Sequence, residues 1–119
     1  MNAAAKSLVV FGLYLLMNAV SLTFAPNAML GLFGLPSTNE PWLRVLGLVV
    51  GVIGYYYIFA AHHRLSAFYP ATVRGRGMTS LAFLGLVVTG AGPWQLLIFG
   101  AVDLLSAIWT HRSLKRTEA

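Results

Sequence analysis

Gly90-Ala91-Gly92-Pro93-Trp94-Gln95-Leu96-Leu97-Ile98-Phe99-Gly100-Ala101-Val102-Asp103-Leu104-Leu105-Ser106-Ala107-Ile108-Trp109-Thr110 decides how this chain is read. Its first four residues predict a tight helix–helix turn. Glycine suits the end of one helix and proline the first turn of the next. The remainder is an apolar run, opened by Trp94 and closed by Trp109, as interfacial aromatic anchors do. Asp103 lies near the middle of that run and is the only acid inside any long apolar segment. A carboxylate at such a position is costly in a bilayer, and by default it marks a partner, a proton or a ligand.

Working outward, the chain has 119 residues, 58% hydrophobic and 9% charged, with a net charge of +5. A soluble domain is about 25% charged. So short a chain, with so few charges, cannot cover itself with a polar face, and lipid is the expected solvent for much of it. Cysteine is absent, which excludes disulfides, zinc-thiolate sites and thiol nucleophiles. The basic residues sit beside apolar segments, which predicts membrane orientation and headgroup contact and no nucleic-acid partner.

Three further segments resemble spans. The first is residues 4–24, long for a signal-peptide core, and Pro26 follows the only plausible cut, after Ala25, so an uncleaved span is expected. The second is 42–61, opened by Trp42. The third reaches spanning length only as 72–91, drawing Arg74 and Arg76 to the membrane edge, where long side chains snorkel. The fourth is 93–110, and it forms an antiparallel hairpin with the third. Between spans one and two, the apolar Pro26–Gly34 stretch reads as a short interfacial helix or loop. The expected fold is therefore all-α: a four-span transmembrane bundle, one integral membrane domain over residues 1–119. Lys6, Arg64, Arg74, Arg76, Arg112, Lys115 and Arg116 collect on one side and Arg44 on the other. The positive-inside rule then predicts a multi-pass inner (plasma) membrane protein with both termini cytoplasmic.

Helical spacing puts Gln95, Phe99, Asp103, Ser106 or Ala107, and Thr110 on one face. Tyr14, Asn18 and Ser21 form a similar stripe on the first span, and Arg44, Gly47, Gly51 and Gly54 or Tyr55 one on the second. Gly47-x-x-x-Gly51 lets another helix approach closely. Asp103, a candidate general acid or base, is expected to share a buried cluster with Asn18, Arg44, Tyr55, Gln95 and Arg76 as ligand-binding residues. Two readings of that cluster stand side by side: an ion pair of Asp103 with Arg44 or Arg76 that glues the helices, and a ligand or proton site. Glu40 precedes Arg44 by four residues, the favourable orientation for a helical ion pair. His62, His63 and His111 lie at helix ends and are read as interfacial or capping residues. No metal site is assigned and no cofactor is named. No phosphate-binding glycine loop or catalytic triad order is present.

Leu30-Gly31-Leu32-Phe33-Gly34-Leu35-Pro36, Trp42-Leu43-Arg44-Val45-Leu46-Gly47-Leu48 and Val102–Thr110 resemble segments of small, uncharacterised bacterial four-helix membrane proteins, loosely DoxX-like. The resemblance implies a four-helix fold. Some DoxX-like proteins are linked to quinone-coupled oxidation or act as accessory subunits, which implies little about this chain's chemistry. Small multidrug exporters, also four-span chains, resemble a pattern with a glutamate in the first span. Asn18 stands in the first span here, so proton-coupled export fits less well. The functional expectations are a membrane protein binding a lipophilic ligand or membrane partner around Asp103, then an isomerase- or cyclase-like membrane enzyme with Asp103 as acid or base, then a small proton-coupled transporter. A homo-oligomer or a subunit role in a membrane complex is expected.

Overall fold

The computed structural model describes residues 2–118, and among these the chain is all-helical, with no strand. The helices are α1 (Ala3–Phe24), α2 (Pro26–Leu32), α3 (Trp42–His62), α4 (Phe68–Val88) and α5 (Leu96–Glu118). Two of them, α1 and α3, are long and apolar enough to cross a membrane. Helix α4 carries Arg74 and Arg76, and α5 carries Asp103 and a basic C-terminal end, so both fall outside that class. The chain divides into two compact units, Met1–Leu8 with Ala60–Ala119, and Val9–Phe59, and the division falls inside α1 and α3.

In the unit Val9–Phe59, α1 and α3 run antiparallel along a seam of small residues. A Cβ built on Gly47 would meet Thr23 and the Ala19 carbonyl. One on Gly51 would meet the Ala19 Cβ, and one on Gly54 the Gly12 carbonyl. The close helix approach read from Gly47-x-x-x-Gly51 is thus made by α1. The Arg44 guanidinium donates to the Thr23 carbonyl, which ties the start of α3 to the end of α1 and replaces the expected pairing with Glu40. Phe11 packs on Tyr57 with ring centroids 5.3 Å apart. Helix α2 decides for a helix where the Pro26–Gly34 stretch was read as a helix or a loop, with proline in its first turn. It ends where Leu35 N donates to the Leu30 carbonyl at 2.9 Å, with Gly34 at φ 70 supplying the left-handed turn.

In the other unit α4 packs along α5. Their register is antiparallel: Ser80 Oγ donates to the Gly100 carbonyl at 2.9 Å, and Arg76 reaches Thr110. A Cβ on Gly100 would lie 3.6 Å from that of Phe83, an ordinary contact, so this approach does not require glycine. The connection is the expected turn, with Gly90 at φ 77 and Gly92 N donating to the Leu86 carbonyl at 3.0 Å. Two boundaries differ from expectation. Helix α4 starts at Phe68, because Pro70 falls in its first turn, where the missing N–H has no helical role. Helix α5 starts at Leu96, after tight turns in which Leu96, Leu97 and Ile98 donate to the carbonyls three residues back. It continues beyond Thr110, with Lys115 and Arg116 in its last turn complementing the helix dipole.

Candidate functional site

Polar side chains are buried alongside the apolar core, and large apolar ones are exposed. Buried side chains include Ser7, Asn18, Thr72, Arg76, Gln95, Asp103, Thr110 and Ser113. Large apolar residues face outward on every long helix: Met17 on α1, Leu48 on α3, Met78, Leu81 and Val88 on α4, Leu105 on α5. In water, an exposed apolar surface of this extent is unstable and marks contact with another apolar phase.

The cluster is built in the unit of residues 1–8 and 60–119. On α5 the buried positions are Gly100, Asp103, Ala107, Thr110 and Ser113, each three or four residues from the next. This is the stripe read from the sequence, with Gly100 where Phe99 was expected. Asp103 is central in the apolar part of α5 and is 8% exposed. On α4 the facing residues are Tyr69, Thr72 and Arg76.

Arg76 is 3% exposed. Its side chain runs back along α4: Nε donates to the Thr72 carbonyl at 3.2 Å and one Nη to Thr72 Oγ1 at 3.0 Å. The same Nη donates to Thr110 Oγ1 at 2.9 Å. Arg76 therefore crosses to α5, its donors taken by the Thr72 and Thr110 hydroxyls, where an outward-extended side chain was expected.

Thr110 Oγ1 lies 2.6 Å from Ser7 Oγ, and Ser7 Oγ lies 2.6 Å from the Ala4 carbonyl. A guanidinium only donates and a carbonyl only accepts. The two hydroxyls thus relay between Arg76 and the first turn of α1: Arg76 donates to Thr110, Thr110 and Ser7 share a hydrogen bond in which either hydroxyl can donate, and the Ala4 and Ser106 carbonyls accept from Ser7 and Thr110, the latter at 3.1 Å.

Asp103 stands beside this relay. The Arg76 guanidinium is the cation whose field acts on its carboxylate. Among the described residues no hydrogen bond reaches the Asp103 carboxylate; the Ser106 hydroxyl next to it donates to the Asp103 backbone carbonyl instead, at 2.9 Å. Of the two cations expected as partners, Arg76 shares this unit with Asp103 and Arg44 belongs to the unit Val9–Phe59.

The other expected residues are distributed differently. Gln95 is buried, but it precedes α5, about two helical turns from Asp103. Asn18, Arg44 and Tyr55 belong to the unit Val9–Phe59. There Asn18 Nδ2 donates to the Tyr14 carbonyl at 3.0 Å. Tyr55 is 57% exposed and packs its ring against Tyr56 and Phe59. Ser7 and Thr72, which spacing did not single out, are the missed members.

A second feature lies at the end of this unit where α1 begins. A cleft of about 540 Å³ is lined by Asn2, Ala5, Ala61, His62, Arg64, Ser66 and Tyr69. Tyr69 precedes the apolar part of α4, and its hydroxyl donates to the Ala60 carbonyl at 3.4 Å. Burial pushes this phenol above its ordinary pKa, while the Arg64 charge acts in the opposite sense.

Comparison with known proteins finds no matching family model, no matching curated protein and no matching solved structure.

Proposed function

We propose that the chain is a four-span membrane protein that holds a lipid-soluble molecule against Asp103 through a donor O–H or N–H group of that molecule. The observation that carries this reading is the buried carboxylate with no hydrogen bond among the described residues, beside an arginine already committed to Thr72 and Thr110. Buried carboxylates are stable when donors satisfy them. In a bilayer such an acceptor recognises a molecule that is apolar overall and carries one polar hydrogen. The outward apolar faces of α4 and α5 support spanning by these helices as well as by α1 and α3. On this reading the chain shares its number of spans with the DoxX-like proteins it resembles, and both termini and the α3–α4 connection lie on the cytoplasmic side of the inner membrane, where most basic residues collect. The glycine seam of α3 is occupied by α1, so self-association would use a different face.

Two measurements test this. The protein is extracted in a mild detergent from the cells that produce it and weighed intact by native mass spectrometry. A bound small mass is expected on the wild type. Asp103→Val should reduce its occupancy about tenfold or more, the loss of one hydrogen bond to a charged group, and Asp103→Asn should fall between. Equal occupancy in Asp103→Val sinks the reading. The absence of cysteine makes topology directly testable with single cysteines at Ser37, Ser66 and Lys115. Position 37 should react with an impermeant maleimide from outside, and 66 and 115 only after permeabilisation. Outside labelling at 66 or 115 excludes the four-span arrangement.

A further inference from the structure

We infer that the cleft between the first turn of α1 and the α3–α4 connection binds the phosphate headgroup of an anionic phospholipid. Its floor is apolar and buried: Ala5, Ala61 and the Tyr69 ring are at most 3% exposed. Its rim, Asn2, His62, Arg64 and Ser66, is exposed. The rim offers donors. The Asn2 side-chain oxygen is turned to Ala5 N, from which it accepts at 2.8 Å, and its amide N–H groups can donate. Arg64 can only donate, and the Ser66 hydroxyl and His62 ring can do so. No aspartate or glutamate lines the cleft, so the Arg64 charge meets no carboxylate there. A concave site with a fixed cation, several donors and no acid selects an anion. At about 540 Å³ it is far larger than a free phosphate needs and lies in the range of sites for molecules of headgroup size.

The backbone supplies an independent observation. Arg64 has φ 53, the only left-handed non-glycine among the described residues. It occupies the turn that ends α3, where Leu65 N donates to the Ala60 carbonyl at 2.9 Å. Glycine is the favoured residue at such a position, because it adopts this conformation without steric cost. An arginine held there against that preference places a guanidinium at the mouth of the cleft, which stability of the turn does not require.

Stability and binding therefore respond oppositely to one substitution. Full-length protein in neutral detergent is titrated with dihexanoyl phosphatidylglycerol, dihexanoyl phosphatidylcholine and inorganic phosphate at matched ionic strength. The wild type should bind phosphatidylglycerol at least tenfold more tightly than phosphatidylcholine, with inorganic phosphate weaker still. Arg64→Gly should weaken phosphatidylglycerol binding at least tenfold while its thermal midpoint stays equal or rises. Arg64→Gln, which keeps the side-chain length, should show the same loss of binding, and Arg64→Lys a smaller one. Replacing the exposed Lys115 and Arg116 with glutamine should leave the phosphatidylglycerol affinity within twofold. The inference is overturned if Arg64→Gly and Arg64→Gln bind like the wild type, or if phosphatidylcholine binds equally. Equal binding of inorganic phosphate overturns the lipid assignment, and loss of the preference in the Lys115/Arg116 variant assigns it to the basic helix end instead of the cleft.

Discussion

Arg76→Met should lower the unfolding free energy by about 2 kcal/mol, the scale seen when buried hydrogen-bond partners are left unsatisfied. This exceeds the ~0.6 kcal/mol average of a neutral hydrogen bond between membrane helices, and the difference has a specific source. Arg76 donates to two hydroxyls on two helices, and methionine removes those bonds. Methionine also leaves Asp103 as a buried carboxylate from which the only acting cation has been withdrawn. The second contribution can be isolated. Asp103→Asn removes the charge that Arg76 balances, so the double variant Arg76→Met/Asp103→Asn should recover more than half of the loss. Denaturant titration in detergent, followed by helical circular dichroism, measures the cycle. Strict additivity of the two single variants would mean that Arg76 and Asp103 are energetically independent, and that the Thr72 and Thr110 bonds account for the whole effect.

This cycle also separates the two roles read for the cluster. If Asp103 serves only as the electrostatic counterpart of Arg76, the double variant approaches wild-type stability and loses nothing else. If Asp103 also binds a lipid-soluble molecule, the stability-restored double variant still carries less of the bound mass than the wild type.

Periodicity explains which parts of this site were legible in the sequence. The buried face of α5 could be read from residues three and four apart, because a helix presents them together. The α4–α5 turn was readable because Gly90 and Pro93 each restrict the backbone to the geometry used. A short helix starting at Pro26 was readable, beside a loop, for the same reason. Ser7 was not legible: it meets Thr110 across 103 positions, and a small hydroxyl in an apolar run carries no periodic signal. Arg44 was misread for another reason. Its partner is the backbone carbonyl of Thr23, a group every residue possesses, whereas Glu40 is a visible charge four residues away. Among Tyr55, Tyr56 and Tyr57, three consecutive residues must point in different directions. Only the position of Phe11 decides that Tyr57 is the buried one, at 8% exposure, and Tyr55 faces outward. Spanning length is likewise a property of composition, and α4 and α5 dilute it with the polar residues that build the cluster.

Gly47→Val should disrupt the α1–α3 seam more than any other single glycine replacement in the chain. A Cβ at position 47 would lie 2.5 Å from Thr23 Oγ1, 2.9 Å from Thr23 N and 3.0 Å from the Ala19 carbonyl. The hydroxyl can rotate away, but the two backbone atoms cannot, so the helices must separate. Gly47→Ala should already cost about 1–3 kcal/mol, the range for overpacking a close-fitted site, and valine adds two methyl groups to the same collision. Separation also draws the Thr23 carbonyl away from Arg44, leaving a cation at the helix end without its acceptor. The graded controls are in the same chain. Gly51→Ala meets only the Ala19 Cβ at 3.2 Å and should be nearly neutral. Gly85→Ala meets nothing within 4 Å and should hold or raise stability, since alanine favours a helix over glycine by about 0.5–1 kcal/mol. The expected order of unfolding midpoints is Gly85→Ala highest, then Gly51→Ala, then Gly47→Ala, with Gly47→Val lowest. A Gly47→Val protein as stable as Gly51→Ala would mean that α1 and α3 do not approach along this seam.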